Sequence, residues 1–293
     1  MDPHLLRTFT AVARCASFSG AARELGYTQS AVSQQIAALE ADLGVELLSR
    51  RPVAPTEAGA RLLEHAGPLL LRLEAARAEV VRAGRAPAAS VVLGASPLAI
   101  GDRVASALAR LRVAAPRTEV TVRVLDRAAV VAGVATGRLD LGVVDGAAAP
   151  SDPLRLPEVG PLHALRCGEE ELVVAVPDGH PLAGRQRGGV RLDSLAAGLW
   201  LDAPEAAVPP PPGADALRIS ARYEGADVRG LLGLVRAGHG LALLPASVVE
   251  AAGGVVGVTV SAPRLVHRTE LLHRSGPGEP VRALIGLLVP ETR

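Results

Sequence analysis

Apolar residues in the first sixty positions return every three or four places, and polar breaks cut that rhythm into three helices. Asp2-Pro3 reads as a helix start, since Asp can cap and Pro suits the first helical position. Leu5, Phe9, Val12 and Ala16 then recur at helical spacing. A break at Ser17-Phe18-Ser19-Gly20 precedes a second, short helix expected over about Ser19 to Leu25, through Ala21, Ala22 and Leu25. Gly26 permits the tight turn that follows. Thr28 is placed to cap a third helix with Val32, Ile36, Leu39 and Leu43 on its buried face, and Gly44 ends it. Two short helices joined by a glycine turn, with alanines where they touch, make a helix-turn-helix. The outer face of its second helix carries Gln29, Ser30, Ser33, Gln34 and Gln35. Gln can bond an adenine edge in two places, and Ser can bond bases or phosphates; the same face fits a polar, solvated helix equally well.

From Thr56 the pattern predicts one long helix to about Arg82. Leu62, Ala66, Leu69, Leu73, Ala76 and Val80 step by four, three, four, three and four, which is a heptad seam. A helix of about 27 residues spans about 40 Å, more than a sixty-residue domain can cover, so the seam calls for a partner. A second copy of the helix is the simplest one; the chain's own C-terminal part is the alternative. Gly67-Pro68 should kink the helix, and Ala83-Gly84-Arg85-Ala86-Pro87 should end it as a hinge.

Beyond residue 90 strands and helices alternate. Strands are expected at Val91–Ala95, Glu119–Val124, Leu139–Val144, Glu171–Val176, Leu199–Asp202 and Leu241–Pro245, and helices at Asp102–Ala114, Ala128–Thr136, Arg191–Ala197, Asp227–Ala237 and Val281–Leu288. Alternation of this kind implies a parallel sheet with right-handed crossovers. Pro209 to Pro212 reads as a stiff, extended loop.

Composition narrows the classes. The chain has 293 residues, enough for two or three domains, and is 49% hydrophobic with 2% aromatics, so its cores must be aliphatic. All 31 basic residues are Arg. Residues 1–60 hold five Arg against six Asp and Glu, so the basic footprint usual in nucleic-acid binders is missing and a DNA reading must rest on pattern. Cys15 and Cys167 fall in different predicted domains and read as buried small hydrophobes in a reducing compartment. No basic leader and no apolar run of about 20 residues is found, so a cytoplasmic location and no membrane contact are expected. Enzyme motifs are lacking: there is no His-Glu-x-x-His, no phosphate loop, and Gly94-Ala95-Ser96-Pro97-Leu98 fails the nucleophile-elbow pattern at its last position. The seven histidines are scattered singly. No enzyme, metal or cofactor is therefore expected.

The stretch Ser17-Phe18-Ser19-Gly20-Ala21-Ala22-Arg23-Glu24-Leu25-Gly26-Tyr27-Thr28-Gln29-Ser30-Ala31-Val32-Ser33-Gln34-Gln35-Ile36 resembles the LysR-family helix-turn-helix almost position for position. The likeness continues through Leu39-Glu40, Leu43-Gly44, Leu47-Leu48, Arg50 and Thr56-Glu57-Ala58-Gly59. Later stretches are similar to the same family: Gly137-Arg138-Leu139-Asp140-Leu141-Gly142, Val176-Pro177 with His180-Pro181-Leu182-Ala183, and Val235 to Pro245. Two departures stand out: Leu47-Leu48 replaces the family's Leu-Phe, and Pro55 replaces its Leu in a short wing, where the prolines restrict strand pairing.

The resemblance implies a winged helix-turn-helix in residues 1–60, a linker helix and hinge in 61–86, and a two-lobed α/β effector domain, like that of periplasmic binding proteins, in 87–293. It implies DNA contacts from Thr28, Gln29, Ser30, Ser33 and Gln34, with Arg50 and Arg51 as phosphate or minor-groove contacts. It implies a linker seam of Leu62, Ala66, Leu69, Leu73, Ala76 and Val80 between two copies. For the effector, strand ends and helix starts between the lobes nominate Ser96, Asp126, Arg127, Asp145, Asp202 and Tyr223; Asp126 and Asp145 argue against a purely anionic ligand. The partners implied are double-stranded DNA with an interrupted dyad, a small-molecule effector, a homodimer assembling into a homotetramer, and RNA polymerase. The competing functions are a DNA-binding regulator with a degenerate sensor and a cytoplasmic solute-binding protein.

Overall fold

The computed structural model describes residues 1–83, 90–157, 159, 162–184, 189–209 and 217–289. Hinge residues 84–87 and the proline run at 210–212 lie outside these. Two compact units are present, the first holding residues 1–81 and the second nearly all the rest.

In the first unit α1 (Pro3–Cys15), α2 (Phe18–Leu25) and α3 (Gln29–Leu43) pack around Phe9, Val12, Ala21, Val32, Ile36 and Leu39, all fully buried. The caps are as the residue types require. Asp2 accepts from the His4 amide and Thr28 from the Ala31 amide. Gly26 and Gly44 close α2 and α3 in the left-handed conformation. One cap differs from expectation: α2 starts at Phe18, with the Ser17 hydroxyl accepting from the Gly20 amide, because this places Phe18 in the core. Leu43 also differs, being exposed one turn after the last core position.

The wing pairs despite its prolines. β1 (Leu48–Arg50) and β2 (Val53–Pro55) form a three-rung antiparallel ladder, since Pro52 falls in the turn and Pro55 at the strand end. The long helix α4 runs over Glu57–Ala83, continuous across Pro68. Its start is locked onto the wing: Thr56 donates its amide to the Leu47 carbonyl and its hydroxyl to the Glu46 carbonyl. Any Cβ at residue 59 would fall 2.0 Å from the Leu47 oxygen, so glycine is required there.

The second unit is built on an eight-stranded sheet. In chain order its elements begin with β3 (Ser90–Ala95), α5 (Asp102–Ala114), β4 (Glu119–Val124), α6 (Arg127–Ala135), β5 (Leu141–Ala148) and β6 (His163–Pro177). They continue with β7 (Val190–Arg191), β8 (Leu199–Asp202), β9 (Arg218–Arg222), α7 (Val228–Arg236), β10 (Ala242–Pro245), α8 (Ala246–Glu250), β11 (Val255–Ala262), β12 (Val266–His273) and α9 (Glu279–Leu288). Strand order is β4-β3-β5-β12-β6-β11-β7, with β10 also on β6, and β8 and β9 form a separate parallel pair.

The sheet is mixed. β3 is parallel to β4 and β5, whereas β12 is antiparallel to β5 and β6, and β10 and β11 are antiparallel to β6. The parallel expectation thus holds for β3, β4 and β5, for β7 with β11 and for β8 with β9, but not for the centre of the sheet. Arg191–Ala197, expected as a helix, is the end of β7 followed by one 3-10 turn, Asp193–Leu195.

Two aliphatic cores mark two lobes. One surrounds Leu93, Leu111, Leu141, Leu271 and Leu284, the other Leu172, Trp200, Leu231 and Leu244. β6 serves both: residues up to Glu171 pair with β12 in the first lobe, and Leu172–Pro177 pair with β10 and β11 in the second.

Candidate functional site

Burying Val32, Ile36 and Leu39 turns the opposite face of α3 outward. Thr28, Gln29, Ser30 and Gln34 are exposed and Ser33 is half-buried, so the expected recognition residues share one accessible surface. Ser19 Oγ donates to Gln29 Oε1 at 3.1 Å, and the Thr28 and Ser30 hydroxyls lie 3.0 Å apart, which orders the start of the helix. Gln35 belongs to the interior instead, because its Oε1 accepts from Thr8 Oγ1 at 2.6 Å.

Glu40 carries a role that sequence reading missed. Its Oε1 accepts the Leu47 and Leu48 amides at 2.9 and 3.2 Å, and its Oε2 lies 3.4 Å from Arg50 Nη2. Arg50 also stands over the Phe18 ring at 5.2 Å. One carboxylate therefore ties α3 to the wing and fixes the guanidinium beside it. Arg51 is exposed and has no ion-pair partner among the described residues. On α4 the seam divides: Ala66 is buried in the unit's own core with Leu62 packed against that core, whereas Leu69, Leu73, Ala76 and Val80 are exposed.

In the second unit four polar side chains run through the interior where β5, β6 and β12 meet. Ser96 Oγ donates to Asp145 Oδ1 and accepts the Asp145 amide, and Asp145 Oδ2 meets His267 Nε2 at 3.2 Å. His267 Nδ1 meets Glu170 Oε1 at 3.3 Å, and Glu170 Oε2 accepts the Ser247 amide at the start of α8. Burial opposes charge on all three titratable groups, yet the hydrogen bonds and opposite charges outweigh it. They hold His267 above the usual imidazole range and Asp145 below the usual carboxylate range, and they bring Glu170 down to about 2. A carboxylate on each ring nitrogen favours the imidazolium form of His267. Nothing in a scattered set of histidines signals this.

The other nominated residues are dispersed. Asp126 caps α6 through the Ala129 amide. The Arg127 guanidinium lies over Gly146, its charge reaches Asp145, and its Nε is buried without a partner among the described residues. Asp202 and Tyr223 sit together on the second lobe, where the Tyr223 amide donates to the Asp202 carbonyl and its hydroxyl to the Asp227 carbonyl.

A cavity of about 550 Å³ opens between the lobes, and none of the six nominated residues lines it. Its walls include Ile100, Asp102, Arg103 and Thr269 from the first lobe, Val228 and Val248 from the second, and Gly168 and Glu170 from the strand they share. Arg103 is exposed and lies over Gly168, where an added Cβ would lie 3.5 Å from its Nε and 2.9 Å from Thr269 Oγ1. Cys167 also lines the cavity; burial pushes its thiol up to about 11 against the opposing charge of Arg103. Among the described residues no group of three or more His, Cys, Asp or Glu could hold a metal, and no helix is long and apolar enough to cross a membrane.

Comparison with known proteins matches both units. Residues 3–60 fit the bacterial regulatory helix-turn-helix protein, lysR family, and residues 84–293 fit the LysR substrate binding domain. The chain is 34% identical to a "Probable hydrogen peroxide-inducible genes activator" of Mycobacterium avium, over 97% of this chain and 92% of that one. It is 29% identical to a "Probable cat1 operon transcriptional activator" of Acinetobacter lwoffii, over 99% and 96%. Full-length CbnR, solved with its target DNA, shares the fold at TM-score 0.51 and 21% identity, covering 98% of this chain and 99% of that one.

Proposed function

The chain belongs to the LysR family of DNA-binding transcriptional regulators with an effector-binding domain, and from that premise we propose how its surfaces divide the work. Two copies pair through Leu69, Leu73, Ala76 and Val80 of α4, and the pairs associate further into tetramers. Each copy sets α3 in a major groove, so that the protein reads an interrupted dyad. Thr28, Gln29, Ser30, Ser33 and Gln34 meet the bases and nearby phosphates, while Arg50 and Arg51 meet the backbone. A small molecule bound between the lobes changes the fit to DNA, and by linkage DNA changes the affinity for that molecule equally. RNA polymerase is the downstream partner, the cytoplasm is the place of work, and no catalysis is involved.

The observation that carries this reading is the accessible hydroxyl and amide face of α3 beside a core-facing stripe of Val32, Ile36 and Leu39. The peroxide response in the Mycobacterium avium relative's name is not extended to this chain. Cys167 is the second unit's one cysteine, buried, and its thiol stays protonated at neutral pH, which makes it a poor nucleophile.

Selection of genomic fragments by the purified protein tests the proposal. Enrichment of a short interrupted palindrome is expected, and Gln29→Ala should weaken that site more than random DNA. Equal losses on both would remove base reading from α3. Leu69→Glu with Leu73→Glu should give monomers, and an unchanged solution mass would remove the seam.

A further inference from the structure

We infer that the interlobe cavity takes a small organic acid, its carboxylate held by Arg103 and its apolar body lodged against Ile100, Val228 and Val248. This rests on the reading of the second unit as a ligand-binding domain and names the chemistry of its ligand. At about 550 Å³ the cavity has the size of small-molecule sites. Both lobes line it, so one ligand touches the two parts whose relative position a signal must change. Its walls set aliphatic side chains such as Ile100, Val104, Val228 and Val248 beside charged ones, which suits a ligand with an apolar body and a charged head.

The charges on the walls decide the rest. Glu170 is occupied by His267 and the Ser247 amide, and the charge of Glu169 faces Arg166 at 3.0 Å and Arg268 at 3.9 Å, although its Oε2 accepts no hydrogen bond among the described residues. Both ring nitrogens of His267 are likewise taken by Asp145 and Glu170. Arg103 remains, an exposed side chain that lies over Gly168 at the cavity wall and has no hydrogen-bond or ion-pair partner among the described residues. A planar guanidinium of this kind takes a carboxylate through two parallel hydrogen bonds. Asp102, exposed and adjacent, is also without a partner among the described residues and would meet an ammonium group if the acid carries one.

The test uses the full-length protein without DNA, by isothermal titration and thermal melting. The probes are straight-chain alkanoates from acetate to octanoate and 3-phenylpropanoate, each beside its primary amide, and L-phenylalanine. At least one acid should bind about tenfold or more tighter than its amide. Arg103→Met should erase that preference, Ala251→Trp should fill the cavity and abolish binding, and Arg110→Ala, on the same helix, should change neither. Tighter binding of phenylalanine than of 3-phenylpropanoate supports an amino acid as the form of the acid, and the reverse order supports a simple acid. Equal binding of acid and amide, binding indifferent to Arg103→Met, or no binding by any probe at millimolar concentration would overturn the inference. An acid that binds through Arg103 without altering the operator complex would sink the regulatory reading alone. An operator complex that answers only to a neutral molecule would sink the acid alone.

Discussion

The two units place their charges in opposite ways. In the first, carboxylates and guanidinium groups stand at the surface: Arg7 meets Glu74 at 3.1 Å with both side chains 43% exposed. In the second, Asp145 and His267 are nearly inaccessible, and their chain of contacts reaches the crossing point of two lobes. Surface charge can be lost cheaply and is available to something outside the molecule. Interior charge is a commitment to one arrangement of strands, because each group is tolerable only while its neighbours stay in place.

The largest expected effect follows from removing the centre of the interior chain. His267→Leu removes the cation between Asp145 and Glu170, leaving Asp145 only the charge of Arg127, and should destabilise the second unit by about 3–5 kcal/mol. Calorimetry should show its transition moving while that of residues 1–81 stays. A loss under about 1 kcal/mol would mean that the carboxylates find protons or water at little cost.

The same contrast should appear against pH. Asp145 and Glu170 titrate below their ordinary values in the folded chain, so their contribution is complete above the carboxylate range. It is lost as pH falls toward the folded values, about 2 for Glu170. His267 titrates above its ordinary value of about 6.5, so its contribution is complete below that and lost as pH climbs through the raised value. The second unit's melting temperature should therefore fall on both sides of a mildly acidic plateau, between the carboxylate range and about 6.5, and His267→Gln should flatten the alkaline side. An alkaline limb that survives in the variant would assign it to another group.

A smaller effect is expected at the first unit's own partly buried carboxylate. Glu40→Ala strands the Leu47 and Leu48 amides and should cost about 1–3 kcal/mol, with wing amides exchanging faster in hydrogen-exchange measurements. The smallest belongs to the surface pair: Arg7→Ala should stay within about 1 kcal/mol in chemical denaturation. A larger loss would show that α4 needs that contact to hold its place on α1.

Legibility in the sequence follows the same division. Around α2 and α3 the deciding interactions span three or four residues, such as Thr28 with Ala31, and local pattern reads them. Glu40 escapes because its partners lie seven and eight residues away, in a wing of irregular spacing. In the second unit Ser96 and Asp145 are 49 positions apart, and Asp145 and His267 are 122. Only the finished topology joins them. β12 hides for a related reason: it carries Arg268 and Glu270, which look like surface residues and are in fact buried and bonded to each other at 2.8 Å. The cavity is the least legible feature, since Asp102 and Arg103 read as an ordinary helix start until Gly168 is brought beneath Arg103.

The strand His163–Pro177 acts as one beam built into two walls. Its hydrogen-bonded neighbours change from one lobe to the other between Glu171 and Leu172 without a break in the backbone. A lobe does not hang on a slack connection here; rotation of one against the other has to bend or twist this continuous strand. Stiffness of this sort turns a small displacement at one end into a tilt at the other, as a lever does.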